Sequence, residues 1–188
     1  MDSRSSYESL ITSHYESVWK NHGVLQRWSQ GPTWELPSEF GVLEFPPGNT
    51  RAMWTYATVG MSQPGDRRGL ELHMFSKVQA SGIVELLTVT AHYHRTGHPL
   101  DLGHTVDFGR PWMPGSSCDH ALLSLPYLDG PDLENCEVME RESVRFLWLI
   151  PITPQELKYK QRLGLEALEE VFERSRFDYS DPTRASVV

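Results

Sequence analysis

Residues 146–150 read Phe-Leu-Trp-Leu-Ile, an unbroken apolar run that leads into Pro151-Ile152-Thr153-Pro154-Gln155-Glu156. Consecutive side chains of a strand point to opposite faces, so this run offers water neither face and suits a strand covered on both sides. The residues after it set its boundary. Thr153 with Glu156 three positions on, and Pro154 between them, is the pattern of a capped helix start. The spacing predicts a long central strand over residues 139–152, with helices to shield it.

The other elements follow from periodicity. A chain of 188 residues is enough for one core, and no long polar linker divides it. Leu10, Ile11, Tyr15, Val18 and Trp19 recur at helical spacing, which predicts a helix over residues 7–21, capped by Ser5 or Ser6 and stopped by Gly23. Gly31-Pro32, Pro37 and Pro46-Pro47-Gly48 mark turns. Strands are predicted over residues 41–45, 51–59 and 70–75, antiparallel to one another because their links are too short for crossovers. Residues 81–95 carry a broad apolar stripe suited to a helix lying on a sheet. Short strands near residues 104–108 and 121–125 and an acidic link over residues 127–135 precede the central strand. A broken helix follows it, interrupted at Gly164, with Leu165, Leu168, Val171 and Phe172 on its apolar face. The fold class is therefore α+β: a single domain, residues 1–188, with a mainly antiparallel, curved β-sheet and helices packed on it. Its core spans about residues 40–176. The tail, residues 177–188, has turn chemistry at Asp181-Pro182 and is read as loose.

Charge and cysteine content narrow the function. The formal net charge is −8 and the sequence pI is near 5.4, which argues against nucleic-acid binding and would steer a basic partner. No apolar signal segment and no membrane-length run are present, so a cytoplasmic protein with reduced thiols is expected. The two cysteines, Cys118 and Cys136, form no Cys-x-x-Cys pair.

Four sets of residues carry candidate chemistry. His92, His94, His98 and His104 with Asp101 and Asp107 suggest a metal site at first reading. On a helix, however, His92 points about 200° away from His94, and Thr96 stands where a binuclear hydrolase would need an acid. A metal-assisted hydrolase on His94, His98, His104 and Asp101 is the rival reading; histidines that cap the helix end and satisfy loop carbonyls are the plainer one. Cys118 with His120 or His104 lacks the helix N-terminus or cation that would activate a thiol. The loop Arg110-Pro111-Trp112-Met113-Pro114 is stiffened by proline and holds two residue types that dominate interfaces. Alternatively, Trp112 is a core lid and Arg110 pairs with Asp107 or Asp101. Lastly, Asp129, Asp132, Glu134, Glu137, Glu140 and Glu142 form an acidic set without calcium-loop spacing, either solvated or a face for a basic partner. The expected partner-binding residues are thus Arg110, Trp112, Asp101, Asp107, Asp129 and Asp132, with no catalytic set, no metal and no cofactor.

The order of motifs also resembles a known family. A helical Glu85-Leu86-Leu87-Thr88 followed by Ala91-His92-Tyr93 leads to Gly97-His98, Gly103-His104-Thr105-Val106 and Leu122-Leu123-Ser124-Leu125-Pro126-Tyr127. The string from Phe146 to Glu156 and the closing Asp181-Pro182-Thr183-Arg184-Ala185-Ser186-Val187-Val188 are the most specific parts. From about Phe40 to Val188 the chain resembles bacterial members of the Suppressor of fused domain family. That resemblance implies an α+β domain that binds protein without catalysis. Animal members bind and restrain a transcription factor and carry a further C-terminal region. Bacterial members are often associated with toxin systems, which implies an immunity or antitoxin protein that neutralises a cognate toxin, here expected to be basic.

Overall fold

The computed structural model describes residues 3–31, 33–139 and 142–188. Pro32 and Glu140 of the sequence reading lie outside the described residues. Among the described residues eight strands form one open sheet: β1 (Val24–Gln26), β2 (Gly41–Phe45), β3 (Trp54–Val59), β4 (Gly69–Ser76), β5 (Thr105–Asp107), β6 (His120–Ser124), β7 (Asn135–Met139) and β8 (Glu142–Ile152). The path across it is β1-β2-β3-β4-β8-β6-β5, with β7 also paired to β8. β2, β3 and β4 pair antiparallel in order, as their short links predict, and β1, which the sequence reading does not include, adds antiparallel to β2 to complete a meander. The pairing of β4 with β8 is parallel, in the register Gly69↔Val144 to His73↔Trp148, so the sheet is mixed. The single strand expected over residues 139–152 is a hairpin arm instead, because Met139 pairs back with Glu142.

Among the described residues five α-helices cover this sheet: α1 (Ser3–Trp19), α2 (Ser81–Thr96), α3 (Pro131–Glu134), α4 (Pro154–Leu163) and α5 (Leu165–Ser175). Alternation along β8 decides which helix covers what. Leu147 and Leu149 join the core beneath α2, with Leu72 and Met74 of β4. Val144 and Phe146 point the other way and pack under α1. Trp148, Ile150 and Ile152 share that second face but lie under α5, with Leu168 and Phe172. The apolar run of β8 is thus shielded by three different helices, which is why it tolerates no polar residue.

Helix boundaries differ from the sequence reading at the N-terminus and agree at the C-terminus. α1 begins at Ser3, so Ser5 and Ser6 lie inside it rather than capping it. It buries Tyr7, Ile11, Tyr15 and Trp19, four residues one turn apart, while Leu10 stays exposed. It stops at Lys20, which takes the left-handed conformation at φ 52. Gly23 serves a different purpose, since a Cβ there would come within 2.7 Å of the Phe45 ring. The box before α4 forms as predicted. Thr153 Oγ1 accepts from the Glu156 N–H at 3.2 Å, and Glu156 Oε2 accepts from the Thr153 N–H at 2.8 Å.

Glu156 also corrects the expectation of a loose tail. It is fully buried and paired with Arg184, whose Nη1 and Nη2 donate to its two oxygens at 2.6 and 2.7 Å. The Val187 N–H adds a bond at 3.1 Å, and Arg184 Nη2 also donates to the Pro151 carbonyl at 2.9 Å. One carboxylate thus caps α4 and fastens the last residues onto the end of β8.

Candidate functional site

The residues expected to bind a partner do not converge. Asp129 is a structural group. Its side chain is 5% exposed, pairs with Arg51 and accepts from Trp19 Nε1–H at 3.0 Å. Arg51 lies 4.4 Å from the centre of the Phe75 ring. Burial raises the Asp129 pKa, outweighing the pull of Arg51 and Trp19 in the opposite direction. Arg51, Trp19 and Asp129 therefore clamp α1, the loop before β3 and the link after β6, and Asp129 is not an open docking group. Asp132 is exposed on α3 and lines a polar cleft of about 600 Å³ together with His14, Lys20 and Arg51.

Asp101 and Asp107 sit apart from that cleft. Asp101 accepts from Arg68 at 3.2 Å and from the Leu102 N–H at 2.8 Å, with Arg145 at 3.6 Å. It ties the loop before β5 to the starts of β4 and β8. Asp107 is exposed and closes a turn by accepting from the Gly109 N–H at 2.7 Å. Trp112 is 2% exposed and packs in the core beneath α2, so it is a lid and not a surface anchor. Arg110 pairs with Glu85 of α2 rather than with Asp107 or Asp101. β5, which precedes this loop, is the last strand on the sheet path.

The histidines are engaged individually. His94 Nδ1 accepts from the Leu100 N–H at 2.9 Å, and burial lowers its pKa, with Arg95 adding to the shift. His104 Nδ1 accepts from the Asp101 N–H at 3.2 Å. His98 stacks on Tyr93 at 4.9 Å, and His92 pairs with Glu35. Loop amides, not loop carbonyls, are the partners of His94 and His104. Among the described residues no three His, Cys, Asp or Glu side chains stand together as metal ligands. The hydrolase reading on His94, His98, His104 and Asp101 therefore lacks its geometry. Cys118 is fully buried and burial raises its pKa, the reverse of what a nucleophile needs.

One concave surface escaped the sequence reading. Between α5 and the strands β6 and β8 runs a groove of about 660 Å³. Trp148, Ile150 and Phe172 form its floor, and Phe177 and Tyr179 close one end. At its mouth stand Tyr127 and Leu128, exposed by 57% and 44%. The rim is α5 itself, through Glu166, Glu169, Glu170 and Glu173. Glu169 is committed across the groove, accepting from Ser124 Oγ at 2.6 Å and from the Tyr127 hydroxyl at 3.2 Å. The signal for this site was present in α5 as four glutamates at i, i+3, i+4 and i+7, beside the apolar face that was recognised.

The Suppressor of fused protein (SUFU) family model matches residues 37–185. The chain belongs to the SUFU family. A crystal structure described as a SUFU homologue from Neisseria gonorrhoeae FA 1090 is 33% identical, with a TM-score of 0.82 and 97% of each chain covered. The SUFU fold recurs in the Sufu–Fu complex crystal structure, at 16% identity and a TM-score of 0.71, covering 97% of this chain and 92% of that one. Drosophila Suppressor of Fused gives 16% identity and a TM-score of 0.68 over 95% of this chain and 50% of its own. At that identity these two show a shared fold. No curated sequence matches the chain. Among the described residues no helix is long and apolar enough to cross a membrane.

Proposed function

We propose that this SUFU-family chain is a non-catalytic binding domain that captures and masks one protein partner, and that the partner is a cognate toxin with a basic surface. The observation that carries the reading is the groove beside α5, which is lined by Trp148, Ile150 and Phe172 and leaves Tyr127 and Leu128 exposed at its mouth. Family membership supports it, since Sufu has been solved in complex with the protein Fu. The net charge of −8 favours a basic partner over an acidic one. The open edge of β5 adds a place for an extended segment.

Affinity capture from the native cell tests the reading. The expected result is one stoichiometric protein, released as salt rises. Expressed alone, that protein is expected to arrest growth, and co-expression of this chain to restore it. Absence of any stoichiometric partner at low salt counts against binding, and a harmless partner counts against toxin neutralisation.

A further inference from the structure

We infer that the groove beside α5 receives a basic amphipathic helix of the partner, with an apolar side chain over Trp148 and lysines or arginines along α5. This rests on the protein-binding reading and adds the place and the chemistry.

Charge names the occupant. Glu166, Glu170 and Glu173 have no ion-pair or side-chain hydrogen-bond partner among the described residues, although elsewhere acids such as Asp66, Glu85 and Glu134 are paired with arginines. Three unpaired carboxylates thus stand along about 10 Å of helix axis, close to two turns. A second helix laid beside α5 presents cations at that same spacing, at i, i+4 and i+7. Arg176, the single basic residue on the lining among the described residues, lies at the end of α5, so the field over the groove remains negative.

Shape agrees with charge. Trp148 and Ile150 of β8 line the bottom of the groove, each largely buried, and Phe172 lines its α5 side. Tyr127 and Leu128 rise on the opposite bank. Glu169 bridges to Ser124 and Tyr127, which holds the two banks at a fixed separation before any ligand arrives. An apolar floor with one acidic bank suits a helix that is apolar on one side and cationic on the adjoining one.

Calorimetric titration with a helical Leu/Lys model peptide, and with its Leu/Glu counterpart, tests the groove. The full chain is expected to bind the Leu/Lys peptide, less tightly as salt rises, and not the Leu/Glu peptide. The triple variant E166K/E170K/E173K, which changes exposed positions and keeps the fold by circular dichroism, is expected to weaken Leu/Lys binding by about tenfold or more. L128S is expected to weaken it while preserving the salt dependence. No binding by the wild type, or equal binding by wild type and triple variant, overturns the inference. So does a natural partner held equally by the triple variant, and that result leaves the protein-binding reading intact.

Discussion

Arg184 and Glu156 are the pair on which the C-terminus depends. Removing one member of a buried ion pair strands the other charge, so Arg184→Ala is expected to cost about 3–5 kcal/mol in urea unfolding. Arg184→Lys keeps the charge but loses the two-pronged contact, and a smaller loss is expected. Two other buried groups make stability depend on pH in opposite senses. Glu71 accepts from Ser62 N–H and Oγ–H at 3.0 and 2.6 Å, yet burial pushes its pKa from 4.5 to about 7. The folded state holds this proton more tightly than the unfolded one, so its contribution is complete below 4.5 and is lost as pH rises through 7. His73 has no hydrogen-bond partner for either ring nitrogen among the described residues, and burial with the nearby Arg51 lowers its pKa from 6.5 to about 3. Its contribution is complete above 6.5 and is lost as pH falls toward 3. The two slopes oppose each other between 4.5 and 6.5, where wild-type stability is expected to be nearly flat. Denaturant titrations across that window are expected to show E71Q gaining stability with rising pH and H73F losing it.

At the scale of elements, the joint between α4 and α5 is the sharpest constraint. Gly164 sits at φ 96 and ψ 173, a region open almost only to glycine, and nothing lies within 4 Å of where its Cβ would be. Gly164→Ala is therefore expected to cost about 1–3 kcal/mol through the backbone alone, read as a lowered unfolding midpoint. On α2, Val89 is 51% exposed and β-branched, so Val89→Ala is expected to stabilise by about 0.5 kcal/mol by the same measurement. Features with a local cause were legible in the sequence: the Thr153–Glu156 box, the break at Gly164 and the antiparallel run of β2, β3 and β4. Features set by distant partners were not. The loop Arg110–Pro114 looks like a docking loop until Trp112 is placed under α2. Asp129 looks solvated until Arg51, far earlier in the chain, comes to meet it. The tail looks loose until Glu156 is buried beneath it. The groove beside α5 was missed for a related reason: its rim was visible as glutamates, but its floor is β8, and nothing local links the two.

For the whole molecule, the parallel contact between β4 and β8 joins two antiparallel halves, the β1–β4 meander and the β8-β6-β5 group. Each half lends residues to the cores on both faces, so neither closes without the other. A chain ended before β8 is expected to show no cooperative urea transition, because Leu72 and Met74 would lose Leu147 and Leu149 as neighbours. The seam also bears on how the protein is made. The ribosome releases the meander first, with the β4 edge bare until the segment that pairs Gly69 with Val144 has been synthesised. At common elongation rates that wait is roughly 5–15 s, long enough for bare edges on neighbouring nascent chains to meet. High-level expression is therefore expected to favour aggregation through β4, and slower translation or a bound chaperone to raise the soluble yield.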